Sequence, residues 1–381
     1  MKNEDKLRIL HITPWYPNRE NPLEALWIRK HIYALKGRVD QSVWHIQVKP
    51  GSKILFERTA SSPWEKHRIL TMPTKRWFLI ELITFLYLCY FFLVRGRARS
   101  FDVINFHIAY PTLTFWRWLK PLVRKPVLIV EHWSAYHFNF GVTSRAKTKR
   151  IQRIFSDGLP VATVSKALAE DIQAFCGLRN FRCFTLPNIV DVTIYSPATA
   201  VHDDKYFFMV SQWSWPKNPL MVINAFAKWK ANFPSNFKLK IAGYGNQWAA
   251  MVDRVAALEM QEYITLCGKL APAEVAEIMK HASGFLHCSE YETFSVVCAE
   301  ALCCGVPVLA SRVGGIVEFV DEHNGVLIDN SERSWMGAFE TFTVKSFERS
   351  KIATDARARF SEDKVGANYF AIVNEIADAV R

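Results

Sequence analysis

Apolar and polar positions along this chain of 381 residues fall into two successive rounds of one pattern: a short apolar run, a polar loop, then apolar residues three or four apart. Short continuous apolar runs read as strands buried on both faces, and the 3.6-residue spacing reads as helices laid over them. In the first half the strands fall at Leu7–Thr13, Ser42–Val48, Asp102–Phe106, Val127–Glu131, Val161–Val164 and Cys183–Leu186. Helices are predicted over Leu26–Leu35, Trp77–Val94 and Lys166–Phe175. The alternation restarts with a strand at Tyr206–Ser211, a helix at Pro219–Ala231, a strand at Lys238–Ala242 and a helix at Trp248–Ala257. It continues in the same order through Tyr263–Leu266, Ala273–His281, Gly284–His287, Val296–Cys304 and Val308–Ala310. Strand–helix alternation is what parallel sheets with crossover helices require, so the fold class is α/β with two doubly wound domains.

Periodicity fails over Pro187–Lys205, where Pro, Asp and Thr collect, and this marks the joint. The expected division is a first domain over 1–190, a second over 191–363, and a closing helix over 364–381. A chain of this length exceeds one ordinary core, which agrees with two domains. Ligands of such sheets sit beyond the carboxyl ends of the strands, so functional residues belong in strand-to-helix loops.

Charge separates the two halves. Residues 1–190 hold 30 Lys and Arg against 13 Asp and Glu, a net +17, and the remainder holds 18 against 23, a net −5. The first half is therefore expected to meet an anionic surface or acceptor. The segment Trp77–Val94, WFLIELITFLYLCYFFLV, is interrupted only by Glu81 and Thr84, and is flanked by Lys75, Arg76, Arg95, Arg97 and Arg99. Its length is at the lower edge for a membrane span. Three readings are open: a buried or half-buried helix, a helix lying on a bilayer, or a true span. The eight cysteines form no C-x-x-C pair and most lie in apolar runs, as reduced core thiols of a cytoplasmic protein do. The opening MKNEDKLRILHIT reads as a first strand and not as a signal peptide.

The chemistry concentrates in residues 287–315, HCSEYETFSVVCAEALCCGVPVLASRVGG. A strand ends at Cys288, a polar loop follows, and a helix begins near Ser295, runs through Glu300 and stops at Gly305. The amides of Thr293, Phe294 and Ser295 at that helix start form a site for an anion. Glu292 before the helix and Glu300 within it place a carboxylate on each side. Two carboxylates that accept from vicinal hydroxyls suit a sugar and a ribose. By spacing alone, they equally suit a cap helper and a solvated helix face.

The stretch S-E-Y-E-T-F-S-V-V-x-A-E-A-L-x-C-G-V-P-V resembles the glutamate, seven residues, glutamate signature of the group 1, glycogen-synthase-like retaining glycosyltransferases. That family has the GT-B fold, two Rossmann-like domains facing across a cleft with a C-terminal helix crossing back to the first. The resemblance implies that Glu292 binds hydroxyls of the transferred sugar, that Glu300 binds the ribose, and that Phe294 and Ser295 offer backbone amides. ILHITPWYPNRENPLEALWIRKHIYAL resembles the first strand, donor-facing loop and first helix, but lacks the usual glycine near Glu24 and Ala25. VLIVEHWSAY matches the segment whose histidine, here His132, reaches the sugar, and His107 in NFHIAYP is placed with it on the acceptor side. VATVSKALAEDI and LPNIVD resemble further segments, with Asn188 and Asp191 in mainly structural roles.

In YFFMVSQWSWPKN, Lys217 matches the lysine that meets the diphosphate, whereas Gln212 stands where the family usually has arginine. Glutamine offers a neutral amide in place of a charged fork. Gly243 in GYGN, with Lys269 and Leu270, resembles the loops around the nucleotide base. The expected reaction is retaining transfer from a nucleoside diphosphate sugar to a hydroxyl. No cofactor is expected, and no metal, because no Asp-x-Asp occurs. Catalysis rests on preorganised electrostatics from Lys217 and the helix amides. The implied acceptor is a glycan or lipid-linked intermediate of surface polysaccharide or glycolipid assembly. The expected setting is the anionic inner face of the cell membrane, with no nucleic-acid partner. Two rival readings stand beside this one. A dinucleotide oxidoreductase lacks its G-x-G-x-x-G. A non-catalytic sugar- or membrane-binding relative would be consistent with Gln212 and the missing glycine.

Overall fold

The computed structural model describes residues 6–94, 100–178, 181–199, 205–233 and 235–379. The flanking arginines 95, 97 and 99 lie outside the described residues. The chain divides into two compact units, Met1–Asn188 with Val365–Arg381, and Ile189–Lys364.

The first unit runs β1 (Arg8–Thr13), α1 (Leu26–Ala34), β2 (Asp40–Pro50), β3 (Leu55–Ser62), β4 (Glu65–Met72), α2 (Trp77–Val94), β5 (Val103–His107) and α3 (Trp116–Val123). It continues with β6 (Val127–Glu131), α4 (Arg145–Gln152), β7 (Val161–Thr163), α5 (Lys166–Cys176) and β8 (Cys183–Thr185). Its eight strands are ordered β3-β4-β2-β1-β5-β6-β7-β8, parallel throughout except for β3 against β4. The central strands β5 and β6 are buried at every position, as a sheet covered on both faces demands.

The second unit runs β9 (Tyr206–Gln212), α6 (Pro219–Asn232), β10 (Lys238–Tyr244), α7 (Trp248–Ala257), β11 (Ile264–Gly268), α8 (Pro272–His281) and β12 (Gly284–His287). Then come α9 (Val296–Cys303), β13 (Val308–Ser311), β14 (Gly325–Ile328), α10 (Glu332–Val344) and α11 (Arg349–Phe360), and the described chain closes with α12 (Glu362–Asp378). Its six-stranded sheet, β11-β10-β9-β12-β13-β14, is wholly parallel. Strand order reverses between β9 and β12, and that switch point is where a doubly wound sheet opens a ligand crevice.

The sequence pattern missed several elements for identifiable reasons. The β3–β4 hairpin lies at the sheet edge, and β3 is mostly exposed, so it carries no continuous apolar run. Helix α3 contains Pro121, and α4, RAKTKRIQ, is polar on nearly every face. The closing helix begins at Glu362, and from Val365 onward it belongs to the first unit. There Gly366 sits against the carbonyl of Ala34 with no room for a Cβ, and Asn105 Nδ2 donates to Tyr369 Oη at 2.8 Å.

Helix α2 is half-buried. Ile80, Glu81, Thr84, Leu88 and Phe91 face the protein, and Phe91 lies on Trp44 with ring centroids 4.1 Å apart. Both polar residues that interrupt the segment are on this inner face. Glu81 accepts from Tyr110 Oη at 2.8 Å and from Arg150 Nε at 3.1 Å, and the Thr84 hydroxyl donates to the Ile80 carbonyl. The opposite face leaves Trp77, Phe78, Leu86, Tyr90 and Leu93 exposed. Among the described residues no helix is long and apolar enough to cross a membrane.

Candidate functional site

The loops after β9, β10, β12 and β13 converge at the carboxyl edge of the second sheet. Three sets of backbone bonds lock them. Trp213 N–H donates to Tyr244 C=O at 2.6 Å, Asn218 N–H to Cys288 C=O at 2.9 Å, and Gly315 N–H to Glu292 C=O at 3.0 Å. The Gln247 side chain adds a bond to the Lys217 carbonyl at 2.9 Å. Two glycines make this convergence possible. A Cβ on Gly243 would overlap the Ser211 carbonyl, and one on Gly314, at φ 48°, would overlap that of Glu292.

Lys217 and Glu292 form an ion pair in the middle of this convergence. Lys217 Nζ also lies 3.4 Å from Ser289 Oγ. Burial pulls the ammonium down to about 8, so it keeps its proton at neutral pH with less margin than a surface lysine. Glu292 Oε1 is also 2.8 Å from His287 Nε2. Ser295, the residue before α9, has φ 69° and places its hydroxyl 3.3 Å from the same nitrogen. Phe294 turns its ring inward onto Phe319 and Phe360, so only its backbone remains for a ligand.

Glu300 is on α9 and is buried, not on a solvated helix face. The Tyr195 hydroxyl hydrogen-bonds it, and burial raises the Tyr195 pKa. Gln212 ends β9 in register with Tyr244 and is exposed, while Lys269 lies over the Tyr244 ring at 5.0 Å beside Leu270. The structure therefore brings together Lys217, Glu292, Thr293 and Ser295 at one edge, with Gln212, Gly243 and Lys269 along the neighbouring strands. Sequence reasoning passed over His287 and Ser289. The signal was present: His287 is the single polar residue in the buried strand GFLH. Among the described residues no group of three or more His, Cys, Asp or Glu could hold a metal ion.

In the first unit His132 follows β6. It is 8% exposed, with the Asn188 side chain beside its ring. Burial holds its pKa well below the usual value, with His31 at a ring distance of 5.1 Å adding to the effect. His107 does not line a surface. It is fully buried, and its Nε2 is 3.0 Å from His11 Nδ1, which makes it a core residue behind the loop rather than a contact for an acceptor. The loops carrying these histidines are joined by Glu131, a residue the sequence did not single out. Its Oε1 accepts from the amides of His132 at 2.9 Å and Trp133 at 3.0 Å. Its Oε2 accepts from the Ala109 amide at 2.9 Å and Tyr136 Oη at 2.8 Å.

Residues 193–358 match the family described as glycosyl transferases group 1. A D-inositol 3-phosphate glycosyltransferase of Stackebrandtia nassauensis is 30% identical over 171 residues, 40% of this chain and 38% of the relative. The N-acetyl-alpha-D-glucosaminyl L-malate synthase of Bacillus anthracis is 32% identical over 117 residues, 31% of this chain and 30% of the relative. The chain thus spans about a third of the length of these relatives. Anabaena HepE, solved in complex with UDP and glucose, superposes with a TM-score of 0.70 at 16% identity over 97% of this chain and 100% of that one. Over residues 193–358 the chain is similar to the group 1 glycosyltransferases, and its fold is GT-B.

Proposed function

We propose that this chain is a retaining glycosyltransferase that moves a sugar from a nucleoside diphosphate sugar to a hydroxyl of a glycan or lipid-linked acceptor. The observation that carries the reading is the Lys217–Glu292 pair set beside the Ser295 turn, with Glu300 further along α9. Breaking the sugar–phosphate bond leaves negative charge on the diphosphate. A buried ammonium and the amides at a helix start are aimed to receive it, and they need no reorganisation at that moment. Glu292 takes sugar hydroxyls and Glu300 the ribose. With Gln212 neutral, Lys217 bears more of the charge, and transfer proceeds without a divalent metal. His132 is assigned the remaining polar contact to the sugar. HepE, a protein of the same fold, was solved with UDP and glucose, which supports a nucleotide-sugar donor.

The acceptor side is read from the surface of the first unit. The outward face of α2 is apolar, and it is bordered by two cationic helices. Helix α3 exposes Arg117, Trp118 and Lys120, with Arg124 exposed just past its end, and α4 lays Lys147 over Trp77 at 5.1 Å and Arg150 over Phe78 at 5.4 Å. An apolar stripe between cationic borders complements an anionic bilayer, into which tryptophans insert at headgroup depth. The enzyme thus works peripherally at the inner membrane face in surface-glycan or glycolipid assembly.

Two measurements test the proposal. A panel of UDP- and GDP-sugars assayed for transfer or hydrolysis, with and without EDTA, should give one active donor whose turnover is lost in Glu292→Gln and Lys217→Ala. Turnover that survives both changes would remove the site assignment. Sedimentation with phosphatidylglycerol vesicles should retain the protein, while phosphatidylcholine vesicles and the Trp77→Glu/Leu86→Glu variant should not. Equal binding to both vesicles would end the membrane reading.

A further inference from the structure

We propose that His287 is a positioning residue that fixes Glu292 and the Ser295 turn from beneath; the inference rests on reading this loop as the sugar-donor site. His287 ends β12 and is buried to 3% exposure, and its Nε2 faces two groups of the following loop at once. Glu292, ion-paired to Lys217, is a carboxylate and can only accept. The proton of His287 must therefore sit on Nε2 and be donated to Glu292 Oε1, leaving Ser295 Oγ as the second, longer acceptor of the same proton. Burial, with the Lys217 ammonium close by, keeps the ring neutral. His287 thus supplies a donor without adding a second positive charge to the site.

Two consequences follow from this arrangement. The contacts that Lys217 and His287 make with Glu292 both fall on Oε1. Donors from two different segments, the end of β12 and the loop after β9, hold one oxygen, so the carboxylate cannot swing with the lysine and Oε2 is presented to a hydroxyl. The second consequence concerns the backbone. Ser295 occupies the left-handed region at φ 69°, a conformation that persists in a side-chain-bearing residue only when its surroundings hold it. The Ser295 hydroxyl against His287 is one such hold, and it lies at the start of the helix whose amides are to receive the diphosphate. A histidine at the end of a buried apolar strand is costly to bury unless its ring is used. Here it is used twice.

The test uses the full chain, with UDP-glucose, UDP-N-acetylglucosamine and GDP-mannose as probes beside UDP and GDP. In spectra of ¹⁵N-histidine-labelled protein, His287 should show the Nε2–H tautomer and titrate well below an ordinary histidine, since it is buried beside the Lys217 ammonium. Losing a hydrogen bond to a charged group predicts that His287→Phe lowers affinity for the bound nucleotide sugar roughly 10- to 100-fold. Affinity for the parent nucleotide should stay within about threefold, and His287→Gln, whose amide reaches the same oxygen, should recover most of the loss. An Nδ1–H tautomer overturns the proposal. So does a His287→Phe variant that binds nucleotide sugar normally, or one that loses nucleotide and nucleotide sugar alike with no recovery in His287→Gln. If the unaltered protein binds none of the probes, the donor-site reading fails, and the tautomer alone then decides the His287 contact.

Discussion

Replacing Glu131 by glutamine isolates the carboxylate that joins the two histidine-bearing loops of the first unit. Its four partners are three backbone amides and one hydroxyl, at 2.8–3.0 Å, and the amides can only donate. Glutamine keeps one carbonyl oxygen and replaces the other with a donor. Set with its oxygen toward His132 and Trp133, it satisfies both, and the Tyr136 hydroxyl can turn to accept from the new amide. The Ala109 N–H then faces another donor in a buried site. An unsatisfied buried donor costs about 1–3 kcal/mol, and weakening two charge-assisted bonds brings the sum to about 2–4 kcal/mol, partly offset by no longer burying a charge. Because the chain has two units, a single unfolding free energy is not the right measure. Hydrogen exchange of the segments around Ala109 and His132 is: at 1.4 kcal/mol per tenfold, protection there should fall by roughly 30- to 1,000-fold while the second unit is unchanged. Protection within about twofold of the unaltered protein would refute the reasoning.

Three further outcomes are expected. Burial lowers Lys217 to about 8, and the proposed role at the diphosphate needs its protonated form, so kcat/KM should fall above about pH 8, tenfold per unit. The fall in kcat should come at higher pH, since a bound diphosphate stabilises the ammonium, and a flat profile to pH 9.5 would contradict this role. Gly314→Ala forces a methyl into the Glu292 carbonyl at a φ alanine disfavours, and should abolish nucleotide-sugar binding while leaving circular dichroism of the fold intact. Gly366→Ala should lower the thermal midpoint of the first unit by several degrees, as overpacking against Ala34 costs about 1–3 kcal/mol. Differential scanning calorimetry reads this directly.

What the sequence determined by itself follows from local periodicity. Strands buried on both faces, such as VLIVE and VINFH, are continuous apolar runs, and the loop-to-helix segment around Glu292 carries enough ordered identity to resemble the group 1 glycosyltransferases. Edge elements were not legible in this way: β3 is exposed and α4 is polar all round, so neither carries the pattern that burial imposes. Tertiary structure decided three matters. It placed His107 in the core against His11, since position after a strand does not say which way a side chain points. It turned Glu81 and Thr84 onto the inner face of α2, and among the described residues no helix is long and apolar enough for the bilayer span that composition alone allowed. It brought His287, Lys217 and Glu292 into contact, although Lys217 is far from the other two in sequence. Hydrogen bonds depend on distance in space, and only the sheet order that sets β9 beside β12 brings those loops within reach.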